Sequence, residues 1–273
     1  MSNENLTLNE TFELAVKNHQ KNNIKDAQNY YLKVLELDPN YVDAHNNLGV
    51  IFQGLGEYQK AKECFEKAIE INPNFADAYN NLGVIFLGLR EIEKAKECFE
   101  KAIKINPNYA EAYYNIGIIF KGLEKIEKAK ECYKKAIELN PNYATAHNNL
   151  GAIFIELGEN QKAKDCYEKA IELNPNYTEA LNNLGVIFQG LGENQKAKEF
   201  YEKAIKLNTN HVDSHNNLGN IFKEAGDLQK AKDCYEKAIE INPNYATAHN
   251  NLGVIFYTLR ENQKSKNCYE KAI

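Results

Sequence analysis

Residues 42–75 read VDAHNNLGVIFQGLGEYQKAKECFEKAIEINPNF, and this pattern of 34 residues recurs along almost the whole chain. We number the positions of each copy from 1 to 34, so that Val42 is position 1 and Pro73 is position 32. Close copies begin at Ala76, Ala110, Ala144, Thr178, Val212 and Ala246. A more divergent copy covers residues 8–41 and is recognised by Leu14, Ala27, Tyr31 and Pro39. The chain is therefore a tandem repeat, whose units bury apolar surface by stacking on their neighbours.

The six prolines and six cysteines are two positions of this repeat and not a scaffold of disulfides. Position 32 holds Pro39, Pro73, Pro107, Pro141, Pro175 and Pro243, and position 23 holds Cys64, Cys98, Cys132, Cys166, Cys234 and Cys268. In the copy that begins at Thr178, these two positions hold Thr209 and Phe200. Stacked units would place neighbouring thiols about 10 Å apart, beyond disulfide reach. We expect the cysteines to pack as small apolar groups in a reducing, cytoplasmic setting.

The apolar pattern within each copy predicts two helices. On a helical wheel, positions 3, 4, 7, 8, 10 and 11 of the first helix crowd one side. Positions 2, 5, 6, 9, 12 and 13 fall on the opposite side. In the second helix, Ala61, Phe65, Ala68 and Ile69 lie together, so that small residues face large ones. This arrangement favours closely packed helical hairpins.

Turn residues mark the end of each predicted helix. Asn-Pro-Asn-Tyr and its variants end the second helix, because proline cannot continue it. Position 15 ends the first helix and is glycine in four copies, as a left-handed turn favours. The same position holds Arg90, Glu124 and Arg260 in other copies, which predicts turns of slightly different geometry there.

These positions resemble the signature of the tetratricopeptide repeat. Leu48, Gly49, Ala61, Phe65 and Pro73 match it, whereas His45 stands where the family usually has tryptophan. The resemblance implies an all-α fold, a right-handed superhelical α-solenoid of tandem helix-turn-helix repeats. The first helices would line its concave face. Residues 1–273 would form a single array, with repeats at 8–41, 42–75, 76–109, 110–143, 144–177, 178–211, 212–245 and 246–273.

The eighth copy stops at Ile273, position 28, and so lacks the residues that close its second helix. Repeat arrays need polar terminal caps, so we expect this chain to be a fragment of a longer one. The alternative is a naturally short protein whose last helix is covered by end-to-end self-association.

The pattern His-Asn-Asn-Leu-Gly, with Cys-Tyr-Glu-Lys-Ala-Ile downstream, is similar to the repeat arms of O-linked N-acetylglucosamine transferases. The resemblance implies an asparagine ladder at position 6 that holds the main chain of an extended peptide, here Asn47, Asn81, Asn115, Asn149, Asn183, Asn217 and Asn251. The wheel extends this binding row to position 5, which holds Asn46, Asn80, Tyr114, Asn148, Asn182, Asn216 and Asn250. The alternative is that these asparagines belong to the repeat consensus and bind nothing.

The remaining positions of the inner face predict the charge of a ligand. Acidic residues occupy position 2 as Asp43, Asp77, Glu111, Glu179 and Asp213, and lysines occupy position 12 only as Lys121 and Lys223. Position 9 is an apolar floor that Asn220 interrupts. A mildly acidic groove would prefer a neutral to basic segment, although acids at position 2 also simply favour a helix N-terminus.

Composition excludes several other functions. The net charge is -5 and the sequence pI is near 5.8, which argues against nucleic acid and anionic membranes as partners. Mean hydropathy is -0.60, and no apolar run is long enough to span a membrane. Neither the cysteine nor the histidine spacing fits a metal site. We find no phosphate-binding loop, nucleophile elbow or paired-carboxylate signature, and so predict no enzyme activity and no cofactor in this chain.

The leading hypothesis is an interaction scaffold that binds an extended peptide or partner protein in its groove. The second is the substrate-recognition arm of a glycosyltransferase or other group-transferase, with the catalytic domain beyond residue 273. The third is a structural scaffold that self-assembles through its last repeat. The sequence alone does not identify the partner.

Overall fold

The computed structural model describes residues 6–273, and all regular structure within this range is α-helical. The helices are α1 (Leu8–Gln20), α2 (Ile24–Leu37), α3 (Val42–Gly54), α4 (Tyr58–Ile71), α5 (Ala76–Gly88), α6 (Ile92–Ile105), α7 (Ala110–Gly122), α8 (Ile126–Leu139), α9 (Ala144–Glu156), α10 (Asn160–Leu173), α11 (Thr178–Gly190), α12 (Asn194–Leu207), α13 (Val212–Glu224), α14 (Leu228–Ile241), α15 (Ala246–Thr258) and α16 (Asn262–Lys271). Consecutive helices pair as hairpins 1 to 8, from α1–α2 to α15–α16. The prediction of an all-α fold of tandem helix-turn-helix units is confirmed.

The chain divides into two compact units, Met1–Pro141 and Asn142–Ile273. The first unit holds hairpins 1 to 4, and the second holds hairpins 5 to 8. Within a unit, the second helix of each hairpin packs against the first helix of the next, as α4 does against α5. First helices of neighbouring hairpins also touch directly, as α3 and α5 do in the first unit and α11 and α13 in the second. A first helix that follows another hairpin of its unit thus has packing partners on two flanks, as α5 has in α4 and α6.

Close approach of the two helices in a hairpin depends on glycine at position 8. A Cβ atom built on Gly49 would lie 2.6 Å from Cε1 of Phe65, and one on Gly151 would lie 2.7 Å from Cε1 of Tyr167. The aromatic ring at position 24 therefore fills the space that any larger residue at position 8 would need. Alanines at positions 20 and 27, such as Ala61, are fully buried on either side of this contact.

The turn inside each hairpin has one residue in the left-handed region, at position 15. Glycine there has φ between 72° and 79° in Gly56, Gly158, Gly192 and Gly226. Arg90, Glu124 and Arg260 have φ of 62°, 57° and 63°. The expected slight difference is seen in φ, which is lower at these three residues than at any of the four glycines. The surrounding hairpin imposes the same turn on a side chain, although left-handed backbone costs an L-residue about 1–2 kcal/mol.

The turn between hairpins is closed by side chains. Oδ1 of Asn72 accepts a hydrogen bond from the backbone N–H of Asn74 at 3.0 Å, and Asn208 and Asn210 repeat this bond at 3.0 Å. Nε2 of His45 lies 2.8 Å from the carbonyl oxygen of Pro39, and His215 makes the equivalent contact with Thr209 at 2.9 Å. The turn at Thr209 therefore keeps its hydrogen bonds without proline.

Position 23 lies at the edge of the packed surface. Cys64, Cys98, Cys132 and Cys234 are half-buried there, and burial raises the pKa of each thiol to about 11. Such thiols stay protonated at neutral pH and are poor nucleophiles. Phe200 takes the position in hairpin 6, and its ring stacks on Phe188 with centroids 5.4 Å apart.

Candidate peptide-binding face

The first helices present one polar face in each unit, which we call the first-helix face. It consists of positions 2, 6, 9, 12 and 13 of these helices. The position-6 asparagines are half-buried on it, as Asn47, Asn81 and Asn115 in the first unit and Asn149, Asn183, Asn217 and Asn251 in the second. A half-buried amide keeps a fixed place while leaving polar atoms within reach of a ligand.

Each unit contains amide–amide hydrogen bonds that cross from one hairpin to the next. Nδ2 of a position-6 asparagine donates to Oδ1 of the position-5 residue in the preceding hairpin. In the first unit, Asn81 donates to Asn46 at 3.0 Å and Asn115 donates to Asn80 at 3.1 Å. In the second unit the bonds are Asn183 to Asn148 at 3.2 Å, Asn217 to Asn182 at 3.1 Å and Asn251 to Asn216 at 2.9 Å. The two asparagine positions thus form one bonded system.

Position 5 differs from the expectation that it faces an open groove. Asn46, Asn80, Asn148 and Asn182 are each 7% exposed, and Asn216 is 3% exposed. They are buried because each lies on the flank where its helix meets the first helix of the next hairpin, a contact that the helical wheel omits. The other two residues at position 5 are the half-buried Tyr114, whose ring centroid lies 5.8 Å from that of Tyr133, and the exposed Asn250. The buried asparagines hold the position-6 row, and a direct part of position 5 in binding stays a prediction.

The bonds fix the orientation of the position-6 amides. Because Asn217 donates one N–H to Asn182, its second N–H and its carbonyl oxygen point elsewhere. Longer contacts of 3.5 Å from Asn46 to Asn47 and 3.4 Å from Asn216 to Asn217 continue the chain of amides along each helix. Asn81, Asn115, Asn183 and Asn217 can therefore present both a donor and an acceptor to an extended main chain, whereas Asn251 already donates to both Asn216 and Asn220.

The second unit has polar residues at two positions that are apolar in other copies, namely Asn220 at position 9 and Ser214 at position 3. Tyr235 donates its hydroxyl to Oδ1 of Asn220 at 2.8 Å, and Asn251 donates to the same oxygen at 3.3 Å. Ser214 donates to Oδ1 of Asn182 at 3.1 Å. The asparagine that interrupts the position-9 row is thus tied into the amide system by two donors.

The acidic residues at position 2, namely Asp43, Asp77, Glu111, Glu179 and Asp213, are all exposed. Asp213 has a partner, because the hydroxyl of Tyr245 donates to its Oδ1 at 2.6 Å. Burial, together with this hydrogen bond and the carboxylate charge, raises the pKa of Tyr245 to about 12. The tyrosine therefore stays neutral at physiological pH and holds the carboxylate as a donor.

A further acid–amide cluster lies at positions 12 and 13 of the second unit. Glu224 accepts from Nε2 of Gln189 at 3.0 Å and from Nδ2 of Asn194 at 3.1 Å, and Tyr201 donates to Oε1 of Gln189 at 3.0 Å. Burial first, and the Glu224 charge second, raise the pKa of Tyr201. Lys223, the neighbour of Glu224 in sequence, is half-buried. Lys121, at the same repeat position in the first unit, is also half-buried. Gln189 and Asn194 are not among the predicted site residues, because they act only in the contact between hairpins.

The first-helix face of the first unit contains a cleft of about 660 Å³ between hairpins 2 and 3. Val50, Gln53, Gly54 and Tyr58 line it from hairpin 2, and Asn81, Val84 and Leu89 are among its lining residues from hairpin 3. The equivalent cleft in the second unit, between hairpins 5 and 6, measures about 260 Å³. The position-6 row and an apolar hollow therefore meet at Asn81.

No group of three or more His, Cys, Asp or Glu in residues 6–273 is placed to hold a metal ion. In the same part of the chain, no helix has the length and apolar character needed to cross a membrane.

The sequence pattern of the tetratricopeptide repeat family matches residues 42–75, 76–109, 110–143, 144–177 and 178–211. Further tetratricopeptide patterns match residues 18–56, 200–233, 219–259 and 246–273. Since these matches cover most of the chain, it belongs to the tetratricopeptide repeat family. The closer likeness to O-linked N-acetylglucosamine transferase arms, the repeat boundaries and the cytoplasmic location stay predictions.

Solved structures with similar folds include PilF of Pseudomonas aeruginosa, with 22% identity and a TM-score of 0.64 over 71% of this chain and 88% of that one. The anaphase-promoting-complex hetero-tetramer Cut9–Hcn1 has 19% identity and a TM-score of 0.74 over 91% of this chain, which spans 49% of the matched one. YrrB, described as a tetratricopeptide protein with an unusual peptide-binding site, has 28% identity and a TM-score of 0.55 over 68% of this chain and 96% of that one. No curated protein sequence gives a significant match.

Proposed function

We propose that this chain is a protein-interaction scaffold that binds an extended peptide segment along its first-helix face. The position-6 asparagines hold the peptide through its main chain. The observation that carries this proposal is the set of bonds from position 6 to buried position 5, since they fix amides in a spaced row.

Main-chain recognition follows from the chemistry of the amide. An asparagine side chain offers the same donor and acceptor as a peptide bond, and an extended peptide presents unpaired N–H and C=O groups. Prior orientation by position 5 reduces the side-chain entropy that binding would otherwise cost. The peptide-binding site reported for the similar repeat protein YrrB supports the assignment of a peptide ligand.

The charge of the face favours a neutral to basic segment. The position-2 carboxylates Asp43, Asp77, Glu111 and Glu179 are exposed along the helix starts. Lysine occurs at position 12 in only two hairpins. Exposed charges of one sign steer partners of the opposite sign and act chiefly on the association rate. We therefore expect binding to weaken as salt increases.

The test removes three position-6 amides from the second unit in the triple variant Asn149→Ala, Asn183→Ala and Asn217→Ala. The probe is a capped ten-residue peptide of alternating threonine and serine, which favours extended geometry and carries no charge. Three hydrogen bonds at about 0.5–1.5 kcal/mol each predict a loss of affinity of tenfold or more. Affinity is measured by NMR titration, and helicity by circular dichroism.

A matched control replaces three exposed asparagines at position 33 of the same unit, Asn176, Asn210 and Asn244, by alanine. The control should bind the peptide as the wild type does. N-methylation of alternate peptide nitrogens should weaken binding to the wild type, because it removes main-chain donors. Equal affinity of the position-6 variant and the wild type, with helicity intact, would disprove main-chain capture by this row.

A further inference from the structure

The cleft between hairpins 2 and 3 is lined without any charged side chain. Val50 and Val84 form its floor and are half-buried, while Tyr58 and Leu89 form its rim and are 52% and 49% exposed. An apolar surface that stays exposed in this way is typical of a partner site.

Glycines at position 13 create the space. Gly54 and Gly88 end their helices and line the cleft, and a Cβ atom built on either would meet no other atom within 4 Å. Neither has a positive φ, so that the backbone does not require glycine at these places. The helices themselves would be more stable with another residue. What glycine provides here is the open volume beside the valines.

We propose that this cleft binds one apolar side chain, of leucine to phenylalanine size, from an extended peptide. A charged side chain would lose hydration against a lining that offers no opposite charge, whereas an aliphatic or aromatic one would bury its surface against Val50 and Val84. The peptide context rests on the proposed function above, and the preference for an apolar side chain rests on the cleft alone.

Asn81 connects the cleft to the row of amides. It lines the cleft, and its Nδ2 donates to Oδ1 of Asn46 at 3.0 Å, which leaves its other polar atoms beside the apolar floor. A peptide bond held by Asn81 would place a neighbouring side chain over Val50 and Val84. One residue therefore sets the register between the main chain and the pocket.

The equivalent cleft of the second unit has a different lining. In this cleft of about 260 Å³, Asn160 and Lys164 are lining residues, and Asn160 stands where hairpin 2 has Tyr58. Position 13 of hairpin 5 is Glu156, whereas hairpin 2 has Gly54. The selection for an apolar side chain thus belongs to the first unit.

The experiment uses the whole chain and single-residue probes, namely the N-acetyl methylamides of leucine, lysine and glutamate. Methyl NMR signals of Val50 and Val84 report binding. The leucine probe should shift these signals at millimolar concentration. The lysine and glutamate probes should bind more weakly by a factor of about ten or more, since ionised groups lose hydration in the cleft.

Gly54→Leu should fill the cleft and weaken the leucine probe about tenfold or more. It should not lower the melting temperature, because leucine is the better helix former. Gly122→Leu is the control, since it makes the same change at position 13 of hairpin 4 and Gly122 does not line this cleft. That variant should bind the probe as the wild type does.

Equal binding of the leucine and lysine probes, no shift with any probe, or unchanged binding in Gly54→Leu would overturn the proposal. These outcomes are separate from failure of main-chain capture, which is tested by asparagines of the other unit and by an uncharged peptide without apolar side chains of this size.

Discussion

Asn217 donates its side-chain N–H to Oδ1 of Asn182 over 3.1 Å, so that a half-buried residue of one hairpin is held by a buried residue of the preceding one. Asn182 receives a second hydrogen bond from Ser214 at 3.1 Å. A buried acceptor with two donors is costly to remove, because both donors lose their partner. Position 5 therefore supports the geometry of position 6 from behind.

Replacing Asn182 by leucine should release the Asn217 amide and destabilise the protein by about 1–3 kcal/mol, since two donors lose their acceptor. Asn182→Asp keeps the acceptor and should preserve the orientation of Asn217. The measurement is the position of the Asn217 side-chain NH2 signals in nitrogen-15 NMR spectra, together with urea denaturation. Asn250→Leu, at the exposed position 5 of hairpin 8, is the control. Unchanged Asn217 signals in Asn182→Leu would contradict this role.

Two glycines of α5 should respond in opposite directions to alanine. A Cβ atom on Gly83 would lie 2.6 Å from Cε1 of Phe99, so that Gly83→Ala should cost about 1–3 kcal/mol through overpacking. A Cβ atom on Gly88 would meet no other atom within 4 Å. Gly88→Ala should therefore raise the free energy of unfolding by about 0.5–1 kcal/mol through helix propensity. Chemical denaturation of both variants gives the comparison. A stabilising Gly83→Ala would show that the ring can move aside.

The left-handed turn residue offers a reciprocal exchange. Arg90→Gly relieves a side chain at φ 62° and should stabilise the protein by up to about 1 kcal/mol, reduced by the greater freedom of glycine in the unfolded chain. Gly56→Arg places a side chain at φ 77° and should destabilise it by a similar amount, about 1 kcal/mol. Denaturation midpoints of the two variants should move in opposite directions. The same sign for both would mean that the turn conformation is not the cause.

The Tyr245–Asp213 pair predicts a titration at alkaline pH. The hydroxyl of Tyr245 has a pKa of about 12 in the folded chain against an ordinary value of 10.0. Because the folded value is the higher one, the stability from this pair is complete below the ordinary value and is lost as pH rises towards the folded one. The ionisation of Tyr245 is measured by its ultraviolet absorbance as pH rises, as the difference between the wild type and Tyr245→Phe.

Asp213→Asn should move the tyrosine step to lower pH, because it removes the carboxylate charge. Asp43→Asn is the matched control, since the position-34 residue of that hairpin is Phe75, which has no hydroxyl. A step that stays in place in Asp213→Asn would assign the raised pKa of Tyr245 to burial alone.

Much of the fold could be predicted from the repeat because its strongest constraints are local. The glycine at position 8 and the aromatic residue at position 24 belong to one hairpin, and the Asn-Pro-Asn turn acts within a few residues. Thr209 shows that the asparagine carries this turn, since Asn208 and Asn210 keep their 3.0 Å bond without proline. Local rules of this kind apply to each copy separately.

The site was less predictable because it arises between copies. A wheel for a single helix placed position 5 beside position 6, but contact between first helices buries Asn46 and leaves Asn47 half-buried. The cleft likewise depends on Tyr58, which begins a second helix and has no place on the wheel of the first. The sequence shows which hairpins have glutamate in place of glycine at position 13. It does not show the volume of the cleft that this position lines.

The amide bonds between hairpins have a genetic consequence. Each bond joins residues 35 apart, one repeat length plus the step from position 5 to position 6. Where the repeat before the new junction has asparagine at position 5 and the repeat after it has asparagine at position 6, a duplication or deletion of one whole repeat within a unit would therefore regenerate the same bond. Unequal crossing-over could therefore lengthen or shorten the asparagine row by one repeat at a time, without a compensating change elsewhere in the gene.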